Sequence, residues 1–173
     1  MVKLYVCEIC GEPYLGGEAP DDCPFCGAPK KYIGMSEDYS TLWGIELNEQ
    51  EEKDMKSTLG LEVNATAYYK KVAKTQEKYS KYERLFKQFA RVEKEHAEVA
   101  SKFLQIEMPE FTGEDSKGSI DADLERTVEL ENGAIEKYKS FMQNAENEKV
   151  KTFYDALIHA EEGHDEYASA ELK

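Results

Sequence analysis

The sequence predicts a mainly α protein: a four-helix bundle with one long crossover, preceded by a small N-terminal metal module built on four cysteines. Three observations predict it. Composition changes near residue 35: residues 1–34 hold all four Cys and all but one of the five Pro, whereas residues 48–173 are rich in Ala, Glu, Lys and Leu at helical spacing. The cysteines form two Cys-x-x-Cys pairs. In the helical part Glu62 is followed by Glu93-x-x-His96, and Glu131 by Glu161-x-x-His164. A glutamate on one helix and a Glu-x-x-His on the next, used twice, is how four helices build a two-metal carboxylate site in their core.

The 173 residues suffice for one ordinary domain plus a small module. A net charge of −14 argues against nucleic acid or an anionic membrane as partner, though not against metal cations. No apolar run approaches the length of a membrane span. The N-terminus, Met-Val-Lys-Leu-Tyr-Val-Cys, turns polar too soon for a signal peptide. These points predict a cytoplasmic chain, and in a reducing compartment clustered cysteines ligate metal rather than form disulfides.

The module, residues 1–34, reads Cys7-Glu-Ile-Cys10-Gly11 and then Cys23-Pro-Phe-Cys26-Gly27. Four thiolates fill one tetrahedral ion, and a glycine after each pair permits the positive φ of a tight metal-binding turn. Zinc and iron both accept this set: zinc would be structural and redox-silent, iron would carry one electron. Residues 35–47 read as a linker carrying the only tryptophan, Trp43, as a partly buried anchor. Asn48, with Glu51 three residues on, predicts the start of a first helix that runs to about Gln76. A second helix spans about Ser80–Gln105. Pro109, Gly113 and Gly118 then mark a loop too long for a tight hairpin. The third helix starts near Ser119 or Asp121 and ends near Ala145. The fourth follows a turn at Asn147 and reaches the C-terminus. Residues 48–173 form the bundle.

The ligand candidates interrupt apolar stripes. These read Met55, Leu59, Glu62, Thr66, Tyr69 and Ala73 on the first helix, and Phe86, Phe89, Glu93, His96, Ala100 and Phe103 on the second. On the third and fourth they read Leu124, Val128, Glu131, Ile135, Tyr138, and Phe153, Leu157, Ala160, Glu161, His164, Ala168. His159, Glu129 and Glu136 fall off the stripes and read as surface residues. Four buried carboxylates are tolerable only with cations between them; two divalent ions neutralise them, and without metal some should take up protons. Mixed carboxylate and imidazole donors suit iron or manganese. Glu93 and Glu161 are placed to bridge, Glu62 and Glu131 to be terminal or bridging, and His96 and His164 to bind one metal each.

With both motif sets in hand, the chain resembles the rubrerythrins over nearly its whole length. These proteins join a rubredoxin-like domain that holds one iron on four cysteines, here Cys7, Cys10, Cys23 and Cys26 with the run Cys-Pro-Phe-Cys-Gly, to a ferritin-like di-iron bundle, here Glu62, Glu93, His96, Glu131, Glu161 and His164. Most place the rubredoxin-like domain last; its position first is similar to the reverse rubrerythrins of anaerobes. The resemblance implies an oxidoreductase, a peroxidase that reduces hydrogen peroxide, with dioxygen as the other candidate substrate. Electrons would come from an external reductase through a small redox protein and pass through the four-cysteine iron; zinc is the alternative occupant in recombinant material. Tyr69, seven residues after Glu62, matches a family tyrosine near the metals and would position the oxidant, the four glutamates passing protons. Tyr138 is either its counterpart on the third helix or ordinary core. Rubrerythrins usually carry Glu-x-x-Glu on the third helix; Ala134 stands at the second position, which puts ligand exchange there in doubt and brings the set closer to a ferroxidase centre. A long bundle would separate a terminal module from a mid-bundle site, so the family's homodimer is expected, one chain's module facing the other's di-iron site, with exchanged helices as one form. The competing readings are an iron-handling ferroxidase and a zinc-ribbon adaptor on a structural bundle. No Gly-rich dinucleotide fingerprint is present, so no nicotinamide should bind directly.

Overall fold

The computed structural model describes all residues, 1–173. Strand β1 (Lys3–Cys7) is the middle of a three-stranded antiparallel sheet, between β2 (Pro13–Gly16) and β3 (Ile33–Met35). Lys3 pairs with Gly16 and Val6 with Pro13 on one side; Tyr5 pairs with Met35 and Cys7 with Ile33 on the other. Strands this short and few do not enclose a core of their own. The module instead shares one: Tyr5, Ile9, Ala28, Ile33 and Leu42 belong to the same buried cluster as Met55, Phe103, Phe153 and Leu157 of the helices. The sheet runs to Met35, one residue beyond the expected boundary at 34. Residues 36–47 are a packed strap: Leu42 is buried, and the Lys102 ammonium stands over the half-buried Trp43 ring at 4.6 Å. Its apolar residues, Leu42, Trp43, Ile45 and Leu47, explain the packing.

Helices α1 (Glu49–Thr75), α2 (Lys81–Leu104), α3 (Ile120–Asn144) and α4 (Glu148–Glu171) follow the predicted spans. Each starts on a side-chain cap, respectively Asn48, Ser80, Ser119 and Asn147. α2 ends where Gln105 turns left-handed (φ 55°). The crossover between α2 and α3 is pinned by Asp123, fully buried, which accepts from Ser116 Oγ, Lys117 N and Tyr68 Oη, each at 2.7 Å. Buried apolar residues fall into two clusters along the bundle axis: one with Met55, Leu59, Phe103, Tyr138 and Leu157, the other with Tyr68, Tyr69, Phe86, Phe89, Leu124 and Ala168. The Glu and His candidates occupy the layer between them. No helix is long and apolar enough to cross a membrane.

Glu51 joins the two ends of the bundle that meet near the module. Its Oε2 accepts from Asn48 N at 3.0 Å, completing the capping box of α1, and its Oε1 accepts from Glu146 N and Asn147 N at 2.9 and 2.8 Å in the turn between α3 and α4. Burial alone would raise its pKa; the Asn147, Asn48 and Glu146 N–H groups prevail and hold it below the usual carboxylate value. A depressed folded-state pKa contributes stability above the ordinary carboxylate value and loses it as pH falls through the folded one. Glu51→Ala should therefore cost about 2–3 kcal/mol in urea denaturation at pH 7, because three backbone donors lose their acceptor, and less at pH 3.

Candidate metal centres

In the module, β1 delivers Cys7 and its turn delivers Cys10, while the turn before residue 30 delivers Cys23 and Cys26. All four are buried, with no disulfide. Gly11 and Gly27 have φ of +82° and +70°, so each Cys-x-x-Cys-Gly closes the tight turn its glycine permits. Cys7 and Cys26 Sγ lie 3.6 Å apart, Cys10 and Cys23 Sγ 3.8 Å. A tetrahedron with metal–sulfur bonds of about 2.3 Å has edges of about 3.8 Å, so the pocket already has the size of a bound ion. The four thiols fit a centre with one iron on four cysteines.

In the bundle, α1 delivers Glu62, α2 Glu93 and His96, α3 Glu131, and α4 Glu161 and His164; all six are buried. They form two overlapping sets. Around His96 Nδ1 stand Glu93 Oε2 (3.2 Å), Glu161 Oε1 (3.2 Å) and Glu62 Oε2 (3.7 Å). Around His164 Nδ1 stand Glu93 Oε1 (2.9 Å), Glu161 Oε2 (3.1 Å) and Glu131 Oε1 (3.6 Å). Glu93 and Glu161 each give one oxygen to each set, the bridging geometry, while Glu62 and Glu131 each serve one set. Glu93 Oε1, both Glu161 oxygens and His164 Nδ1 have no hydrogen-bond partner despite full burial. Orphaned acceptors converging on two points are what two cations would satisfy, and the donor set fits a di-iron site.

Two tyrosines brace the outer carboxylates in crossed fashion. Tyr69 of α1 donates to Glu131 of α3, and Tyr138 of α3 donates to Glu62 of α1. Tyr138 is thus the counterpart of Tyr69, which the position seven residues after Glu131 had left open. Burial and the neighbouring glutamates hold both phenols well above their ordinary pKa, so both remain donors. Ala134, where a further carboxylate was the alternative, borders a small cavity of about 30 Å³ between α1 and α3 that reaches Glu62, Glu131 and Tyr138. Its rim is Leu61, Asn64, Ala65 and Leu130.

The structure corrects the expected distance between the centres. The module does not sit off the bundle's end; it lies against α2 and α4 of its own chain, and Cys26 O is 2.8 Å from His96 Nε2. The carbonyl can only accept, so Nε2 carries the proton and Nδ1 faces the carboxylates. Gly27 makes the contact possible: a Cβ there would stand 2.9 Å from Ala160 Cβ. Tyr32 Oη donates to Asp155 at 2.6 Å, Lys31 pairs with Asp155 at 2.7 Å, and His159 Nε2 meets Asp22 at 2.7 Å. His159 is exposed, as expected, but fastens the module to α4. Helical periodicity carries no signal for a contact between sequence-distant surfaces, so Asp155 and His159 were missed.

Protons take the place of cations when none are bound. Burial and the Glu161 charge push Glu62 well above its ordinary pKa; burial and the charges of Glu93 and Glu161 push Glu131 up to about 8. Burial disfavours charge on His96 and His164, yet Glu161 and Glu93 respectively outweigh it and hold both imidazoles well above theirs. Divalent ions must displace these protons. Titrating the metal-free protein with ferrous ion at pH 7, in two buffers of different ionisation enthalpy, should show net proton release. Affinity should weaken as pH falls below about 8. Binding without proton release would contradict a shared site.

Comparison with known proteins agrees with both centres. Residues 5–33 match the family described as "Rubrerythrin, rubredoxin-like domain", and residues 53–172 match "Rubrerythrin". A relative named Reverse rubrerythrin-1, from Clostridium acetobutylicum, is 29% identical over 164 residues, covering 90% of this chain and 85% of the relative. No solved structure matches. With its rubredoxin-like segment first and a carboxylate-lined helical bundle after it, the chain belongs to the rubrerythrin family.

Proposed function

We propose that the chain, an iron oxidoreductase by family, is a peroxidase: it reduces hydrogen peroxide to water at the bundle site, with dioxygen as the other candidate oxidant, and draws electrons through the four-cysteine centre from an external redox protein. Cys7, Cys10, Cys23 and Cys26 hold the single iron; Glu62, Glu93, His96, Glu131, Glu161 and His164 hold the pair. The observation that carries the reading is the 2.8 Å contact of Cys26 O with His96 Nε2, which joins the two ligand sets through one hydrogen bond in one chain. When bound, the two irons would supply the two electrons that cleave a peroxide O–O bond, and the single iron of the module would return them one at a time.

The chain's own residues do the rest. Apolar clusters on either side of the layer keep it dry. The cavity beside Ala134 is large enough for about one water-sized molecule, which suits peroxide and excludes bulky substrates. Tyr69 and Tyr138 hold Glu131 and Glu62 in fixed orientation, and the inward glutamates are placed to pass on, rather than to store, the two protons that turn peroxide into water. Because the relay is complete within one chain, a second subunit is not required for it. Free buried thiols are consistent with a reducing, cytoplasmic setting.

Anaerobic mixing of the fully reduced, iron-loaded protein with hydrogen peroxide tests the reading. The visible absorption of the ferric four-cysteine centre should return in step with peroxide loss, faster than with dioxygen. If that centre stays silent while repeated ferrous additions are oxidised and a mineral core grows, the ferroxidase reading, which Ala134 favours, replaces this one. Ala160→Val, which crowds the same contact from α4 and leaves the cysteine turn intact, should slow the internal re-oxidation of the four-cysteine centre by about tenfold or more, because displacing a contact by an ångström suffices for such losses. The absorption spectrum of that centre should be unchanged.

A further inference from the structure

In a chain of net charge −14, one groove is strongly positive. It runs between α1 and α2, has a volume of about 490 Å³, and is lined by Lys70 and Lys74 from α1 and Lys87, Arg91 and Lys94 from α2. Ala73 and Ala90 form its floor, and Glu83 is its one acidic residue. Lys87 pairs with Glu83, and Lys94 with Glu98. Lys70, Lys74 and Arg91 have no carboxylate within 4.0 Å, although the chain carries 36 acidic residues. Lys70 and Lys74 are one helical turn apart, as are Lys87 and Arg91, and like charges at that spacing destabilise a helix. Burial, and after it the charges of Lys94 and Lys74, lower the pKa of Lys70. Lys70 stands over the Phe111 ring at 4.1 Å, and Lys87 and Lys94 have their carboxylates, but Lys74 and Arg91 have no partner in the fold, so the surplus of charge is turned outward.

The occupant follows from the walls and the position. A small-ligand site offers a few fixed polar groups on apolar walls; this groove has long flexible cations over two alanines, which suits attraction of a large, oppositely charged surface. A second copy related by a two-fold axis through the groove would set these cations against themselves. The α2 wall of the groove adjoins both centres: Arg91 precedes Val92, which the Gly27 turn of the module approaches, and Lys94 follows Glu93. Phe89, next to Ala90 in the chain, is packed with its ring centroid 4.5 Å from that of His164.

We propose that this groove is the docking surface of the external electron donor, and that the donor is an acidic redox protein. The inference rests on the reading of the chain as an electron-fed oxidoreductase.

Photoreduced flavodoxin, an acidic one-electron donor protein, is a suitable probe. Mixed with the oxidised, iron-loaded full chain, its flavin hydroquinone loses one electron and becomes the semiquinone, while the ferric four-cysteine centre of one chain becomes ferrous; both changes are visible in stopped flow. Two acidic proteins repel overall, so a rate governed by net charge rises with ionic strength. If the groove governs, the second-order rate falls as salt rises, by about tenfold or more between low and high ionic strength. The double variant Lys74→Glu/Arg91→Glu should lose about tenfold at low salt and most of the salt dependence. Lys74→Gln should fall between, which guards against a folding defect in the double variant. Reduction by dithionite should be the same in all three. A wild-type rate that rises with salt, or a double variant as fast as the wild type, overturns the proposal. So does loss of a dimer by sedimentation in the double variant with flavodoxin rates unchanged, which would make the groove a contact between copies. Failure of the dithionite-reduced protein to react with peroxide would sink the functional reading instead, whatever flavodoxin does.

Discussion

Four carboxylates share one dry layer, and the rest of the molecule is arranged around neutralising them. Glu62, Glu93, Glu131 and Glu161 are each at most 3% exposed. Taking such charges out of water costs several kcal/mol apiece unless opposite charge meets them. Two divalent cations meet them fully; protons on Glu62, Glu131 and the two imidazoles meet them in the cations' absence. Metal binding in this layer is therefore an exchange of protons for cations. The apolar clusters on either side make this possible, because they carry the packing that the polar layer cannot.

The N-terminal module obeys a second constraint. Some 35 residues in three short strands cannot bury enough surface to fold alone, and a metal is the usual supplement for a domain of that size. Here the module takes both supplements: four thiols closed to tetrahedral spacing, and a face laid on α2 and α4. The docking is specific because Gly27 has no side chain. A Cβ at that position would meet Ala160 Cβ, and the next residue along α4 from Ala160 is Glu161. The same approach that seats the module therefore sets Cys26 O against His96, so structural docking and the link between centres are one contact.

What the sequence made legible was what depends on local spacing. Helix spans followed from the cap at Asn48 and from breaks in the helical pattern near Ser80, Ser119 and Asn147, and the inward direction of Glu62, Glu93, His96, Glu131, Glu161 and His164 from apolar stripes that each one interrupts. The cysteine pairs were legible because a metal-binding turn needs the glycine that follows. Contacts between surfaces far apart in sequence were not legible. Nothing local marks Asp155 or His159 as partners of the module, and in residues 35–47 only the apolar Leu42, Trp43, Ile45 and Leu47 hint that the linker is packed. The crossed bracing of Glu131 by Tyr69 and of Glu62 by Tyr138 depends on the α1–α3 pairing, which periodicity does not specify. The expected separation of the centres failed for the same reason: it assumed docking at the bundle's end, whereas the module lies along the side.

The two half-sets read alike in sequence but stand in different surroundings. His96 turns its Nε2 to a backbone carbonyl of the second cysteine turn, whereas the His164 ring packs against Phe89 at a centroid distance of 4.5 Å. A hydrogen bond to the module ties the first imidazole to the other centre; an aromatic wall gives the second no such partner. The shared carboxylates Glu93 and Glu161 contact both histidines, so no further protein group stands between the His96 side and the His164 side. The cavity beside Ala134 opens between α1 and α3, away from the α2–α4 face that carries the module. The module and the cavity thus meet one layer on different sides, and the inequality of two sequence-equivalent halves is what separates them.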